Sequence, residues 1–70
     1  MPEPPTTYLI RVRGVLSDRL LTAFPGLRSR AERGDTVLAG TLPDQAALHG
    51  VLARIEALGL ELLEVRRSRG

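Results

Sequence analysis

Gly40-Thr41-Leu42-Pro43-Asp44 repeats the pattern of Gly14-Val15-Leu16-Ser17-Asp18, and the fold of this chain turns on that match. Both copies read Gly-x-Leu-x-Asp, offset by 26 residues. Before the first copy, Tyr8-Leu9-Ile10-Arg11-Val12-Arg13 alternates. Tyr8, Ile10 and Val12 fall on one side and Leu9, Arg11 and Arg13 on the other, the period-two pattern of a half-buried strand. Before the second copy, Thr36-Val37-Leu38-Ala39-Gly40 reads as a further strand. Each copy therefore ends a strand and begins a helix.

The helix after the second copy has the clearest boundaries. Pro43 ends the strand and Asp44 is a good N-cap. Leu48, Val51, Leu52, Ile55 and Leu58 recur at three- and four-residue spacing as one apolar stripe, and Gly59 is placed for a C-terminal cap. The helix after the first copy is shorter. Ser17 or Asp18 can cap it, Leu20, Leu21, Ala23 and Phe24 supply its apolar side, and Pro25-Gly26 stops it. Leu27 to Arg33 reads as an arginine-rich edge strand, and Gly34-Asp35 as a tight turn into the next strand. Leu60 to Arg67 follows as the last strand.

Strand-helix-strand twice over is βαββαβ. The expected class is α+β: a two-layer ferredoxin-like sandwich with an antiparallel four-stranded sheet. Residues 7–67 form the domain, residues 1–6 a flexible proline-rich arm, and residues 68–70 a frayed end.

Composition narrows the function. The chain has 70 residues, a formal charge of +2 and no cysteine. Disulfides and thiolate metal sites are thereby excluded. Its apolar runs are too short to span a bilayer. Met1-Pro2-Glu3-Pro4-Pro5 lacks the features of a signal peptide, so a cytoplasmic location is expected. All basic residues are arginine, which does not titrate below about pH 12. The high pI of about 10.4 thus reflects arginine usage, not a large charge.

No catalytic constellation is legible. His49 is the lone histidine, without a second histidine or a cysteine for a metal site and with Glu56 two turns away. Arg33-Gly34-Asp35 spells a cell-attachment tripeptide, but a hairpin turn accounts for Gly-Asp at that place. No phosphate-binding glycine loop is present. No catalytic residue, cofactor or metal is expected, and the protein is read as a non-enzyme.

The sheet face turned away from the helices is more informative. It should carry Leu9, Arg11, Arg13, Val37, Ala39, Leu62, Glu64 and Arg66. That mixture is too apolar for plain exposure and too charged for a core. A chain this short also buries only about 60% of its unfolded surface. Both point to a homo-oligomer, a dimer, joined through the sheet with Leu9, Val37 and Leu62 central and Arg11, Arg13 and Arg66 at the rim. A second surface is the row Ala46, Gly50, Ala53 and Ala57, where Gly50 suggests close approach of the neighbouring helix of the same domain, a partner chain being the alternative.

From Asp44 the chain reads Asp44-Gln45-Ala46-Ala47-Leu48-His49-Gly50-Val51-Leu52, then Ile55, Leu58-Gly59-Leu60 and Leu62. With Tyr8-x-Ile10-x-Val12-x-Gly14 and Thr36-Val37-Leu38-x-Gly40, this resembles a family of small uncharacterised bacterial proteins from high-GC genomes. The resemblance covers residues 8 to 65. It implies a free-standing cytoplasmic protein and singles out Gln45, His49 and Gly50.

The expected function is a protein-interaction or regulatory module that self-associates through its sheet face. One alternative is a small-ligand sensor resembling amino-acid-binding ACT domains. Another is a weak nucleic-acid binder using Arg11, Arg13, Arg66, Arg67 and Arg69. Nucleic acid is disfavoured because Tyr8 and Phe24, the only aromatics, are not placed to stack bases.

Overall fold

The computed structural model describes residues 4–68. Along them run β1 (Thr6–Val12), α1 (Asp18–Leu21), β2 (Arg28–Glu32), β3 (Asp35–Leu42), α2 (Gln45–Ala57) and β4 (Leu62–Ser68). The strands form one sheet in the order β2-β3-β1-β4, with every neighbouring pair antiparallel. The result is a small α+β domain with a four-stranded antiparallel sheet and two helices. Residues 1–3 of the expected N-terminal arm and residues 69–70 of the expected frayed end lie outside the described residues. Thr6 and Ser68, assigned from the sequence to those ends, belong to strands.

The alternation in β1 works as the pleat requires. Tyr8, Ile10 and Val12 are buried, and their partners on β3 are Gly40, Leu38 and Thr36. These residues form the sheet side of a core completed by Phe24, Leu48 and Ile55. The repeat therefore preserves pleat parity between β1 and β3.

The two copies of the repeat nevertheless end differently. In the second, Asp44 caps α2, its Oδ1 accepting from the Ala47 N–H at 2.8 Å. In the first, the cap is Ser17 and not the aligned Asp18: Ser17 Oγ accepts from the Leu20 N–H at 3.2 Å. Helix α1 is a single turn, and Ala23 and Phe24 lie beyond it. Their N–H groups donate to Leu20 and Leu21 carbonyls. Phe24-Pro25-Gly26-Leu27 then closes a turn, with Leu27 N–H donating to Phe24 O at 3.2 Å and Gly26 at φ 83°. Proline followed by a positive-φ glycine is the sequence requirement of a type II turn.

Helix α2 ends one residue before the expected stripe does. Leu58 is its C-cap and is 41% exposed. Gly59, at φ 73°, turns the chain so that its own N–H donates to Glu56 O and the Leu60 N–H to Ile55 O. That paired arrangement is a Schellman cap. It exchanges Leu58 for Leu60, which packs against the core. The β2–β3 hairpin turns at Arg33-Gly34, not Gly34-Asp35; both residues have positive φ, as a type I′ turn demands.

Candidate interaction surfaces

The register of the sheet builds the open face row by row. Arg28 on β2, Ala39 on β3, Leu9 on β1 and Arg66 on β4 lie side by side. The next row is Arg30, Val37, Arg11 and Glu64. Most of the apolar side chains thus occupy the two central strands, with charge on the edge strands. Val37 is only 6% exposed, and Leu9 and Ala39 are half-buried. Long charged side chains cover apolar neighbours with their methylene stems while the heads stay in water.

Arg11 is the electrostatic centre of this face. Its Nη1 donates to the Glu32 carbonyl and to Asp35 Oδ2, both at 3.2 Å, and its Nη2 donates to Glu32 Oε1. Asp35 also accepts from the Gly14 N–H at 3.2 Å, so the Arg11 cluster ties the hairpin to the end of β1. Arg30 pairs with Glu32 at 2.9 Å, Arg13 with Glu61 at 2.9 Å and Arg66 with Glu64 at 3.7 Å. Exposed pairs of this kind contribute about 0–1 kcal/mol each to stability. Their larger effect is to offset the arginine charge on this face, so a phosphate chain would compete with carboxylates already in place. Tyr8 and Phe24 are buried in the core and offer no stacking platform. Arg69 lies outside the described residues.

Leu62 is not where alternation places it. Glu64 pairs with Arg11 and Arg66 with Leu9, but a register shift then pairs Leu62 with Val12 instead of Arg13. A bulge inserts one residue and reverses the parity of what precedes it. Leu62 therefore leaves the open-face row. The adjacent apolar pair Leu62-Leu63 breaks strict alternation and is the sequence signal of the bulge.

Exposed apolar surface lies on the β4 side of the domain instead. Leu62, Leu63 and Val65 are each more than a third exposed, as is Leu58 at the end of α2. Val65 pairs with Ile10 and so points to the helix side, yet it stays 37% exposed there. Strand β4 is also a sheet edge, and among the described residues no strand pairs with its outer side.

Gln45, His49 and Gly50, the three residues singled out in the sequence, separate in space. Gln45 reaches under the sheet and donates from Nε2 to the Tyr8 hydroxyl at 3.0 Å. His49 is exposed. Gly50 is also exposed, and a Cβ built on it meets nothing within 4 Å. The expected close approach of the neighbouring helix at Gly50 is therefore absent, and Ala46, Ala53 and Ala57 face outward as well. Gly50 lines a shallow groove of about 230 Å³ with Phe24, Pro25, Leu42 and Arg54. Arg54 Nη1 bridges that groove to the Ala23 carbonyl at 2.7 Å. The glycine that does require its size is Gly40. A Cβ there would come within 2.6 Å of Leu27 Cδ2 and 3.1 Å of the Gly26 carbonyl oxygen.

Among the described residues, no three His, Cys, Asp or Glu side chains gather as a metal-binding group. No helix among them is long and apolar enough to cross a membrane. No curated protein and no solved structure matches the chain. The sequence model of the family described as domain of unknown function DUF8691 matches residues 7–66, from within β1 to within β4, and the chain belongs to that family.

Proposed function

We propose that this chain is a ferredoxin-like, non-enzymatic protein-interaction module that works as a homodimer. The element order and the strand order β2-β3-β1-β4 support the ferredoxin-like assignment. The observation that carries the dimer is the exposure of Leu62, Leu63 and Val65 along the edge strand β4. Among the described residues, three of the five exposed large hydrophobic side chains lie there, the others being Leu58 and Val15. Exposed apolar residues gathered on one side mark an interaction site more often than scattered ones do. The small size of the chain adds to this, because a second copy would bury surface that one copy cannot.

The contact surface is consequently moved from the centre of the open face to the β4 flank. Leu9 and Val37 are already covered, in part or fully, within one copy, and the arginines beside them are engaged by carboxylates. The same pairing of Arg11, Arg13 and Arg66 weighs against the nucleic-acid reading.

Sedimentation or light scattering at high micromolar concentration tests the proposal. The expected mass is twice 7.6 kDa. A particle that stays monomeric across that range overturns it.

A further inference from the structure

We propose that two copies join edge to edge through β4, antiparallel, about a two-fold axis at Val65, extending the four-stranded sheet to eight strands. This rests on the self-association reading and specifies the partner surface and its register.

Among the described residues, nothing pairs with the backbone N–H and C=O groups on the outer edge of β4 over Leu62–Ser68, a stretch with neither proline nor glycine. Such an edge is a template for another strand. The opposite edge, β2, reads Arg-Ser-Arg-Ala-Glu and offers no large apolar side chain to bury. Strand β4 offers Leu62, Leu63 and Val65.

Symmetry and charge then select the register. A two-fold axis perpendicular to the sheet keeps the open face of one copy continuous with that of the other. Directly opposed residues must share a face, so the axis passes through a residue position and not between two. At Val65 the axis places Glu64 of each copy opposite Arg66 of the other, giving two identical opposite-charge pairs. It also sets Leu63 opposite Arg67, whose stem can cover it. Shifting the axis to Glu64, Arg66 or Arg67 sets like charges directly against each other, which destabilises a strand pair. Shifting it to Leu63 carries Arg66 beyond the end of the partner strand. Within one copy the Glu64–Arg66 pair is long, at 3.7 Å, and both side chains are more than half exposed. They are available to exchange partners across the axis.

The absence of native cysteine makes the test direct. In this register residue 65 faces its own counterpart, at the roughly 4.5–5.5 Å Cα separation of opposed strand residues. A disulfide spans that distance, but not separations above about 7 Å. Val65→Cys should therefore give a covalent dimer on mild oxidation, whereas Leu63→Cys and Arg67→Cys, each four residues out of register with its own counterpart, should not. Glu64→Arg alone should weaken the dimer roughly tenfold or more, and Glu64→Arg with Arg66→Glu should restore it.

If the unmodified protein is dimeric but Leu63→Cys or Arg67→Cys cross-links in place of Val65→Cys, the register is overturned and self-association stands. The register is likewise overturned if the double charge exchange leaves the dimer as weak as the single one does. A monomeric unmodified protein overturns both.

Discussion

Gln45, the first residue of α2, donates from its side-chain Nε2 to the Tyr8 hydroxyl at 3.0 Å. This contact joins the start of the long helix to the start of the central strand, 37 residues away in sequence. Tyr8 is 4% exposed, and among the described residues no buried side-chain polar atom lacks a partner. Gln45 is thus what allows a tyrosine hydroxyl to sit at the end of the core.

Replacing Gln45 with leucine removes that partner while retaining bulk. Stability should fall by about 1–2 kcal/mol, the desolvation cost of a polar group left unmatched. In a background of Tyr8→Phe the same change should cost much less, because the hydroxyl is already gone. Denaturant unfolding of the two single variants and the double variant measures the coupling directly. Additive losses would show that the hydrogen bond is not made in solution.

The glycines at 40 and 50 should respond oppositely to alanine. At Gly40 the added methyl meets Leu27 Cδ2 and the Gly26 carbonyl, so Leu27 must leave its rotamer. A loss of about 1–2 kcal/mol is expected from overpacking. At Gly50 the methyl enters open space on an exposed helix face, and stability should rise by about 1 kcal/mol from helix propensity. For a domain of this size, 1 kcal/mol moves the thermal midpoint by about 4–8 °C, well within calorimetric resolution. A lower midpoint for Gly50→Ala would show that the glycine serves a purpose other than helix formation.

Thr36 is the one buried polar residue among those described, apart from the Tyr8 hydroxyl. Its Oγ1 donates to the Gly14 carbonyl at 2.7 Å and accepts from the Leu16 N–H at 3.0 Å, stitching the β1–α1 loop to β3. Thr36→Val keeps the shape but strands both backbone groups, and should cost about 2 kcal/mol or more. Thr36→Ser retains the hydroxyl and should lose less. Hydrogen exchange of the Leu16 amide reads the local effect: it should accelerate strongly in the valine variant and weakly in the serine variant.

Local signals carry most of the fold. Alternation in Tyr8–Val12, the Asp44 cap and the Gly59 turn each depend on residues within one helical turn or one strand, so they can be read without knowing what lies across the sheet. Expectation and structure part wherever a distant partner decides the outcome. Alternation puts Leu62 on the open face only when it is extended through a bulge that pairing with β1 reveals. Helix propensity asks for a close neighbour at Gly50, but the spatial relation of the helices is not a local property. The Arg11–Glu32–Asp35 cluster has no local signature for the same reason: its members come from β1 and from the ends of the β2–β3 hairpin.

The surface divides along the same line. Composition alone establishes a small, cysteine-free chain whose high pI comes from arginine and not from a dense positive field, and the repeat establishes two strand-to-helix junctions. Which apolar residues remain exposed is decided by tertiary structure. Val37 and Val65 are the same residue type in the same kind of element, yet one is buried on the open face and the other exposed on the helix side. The difference is their place in the sheet: β3 has a strand on either side, so Val37 sits between Arg11 and Arg30, whereas β4 is an edge with a strand on one side only. Burial depends on what a residue's neighbours place over it, and that follows from strand order and not from the residue's own sequence context.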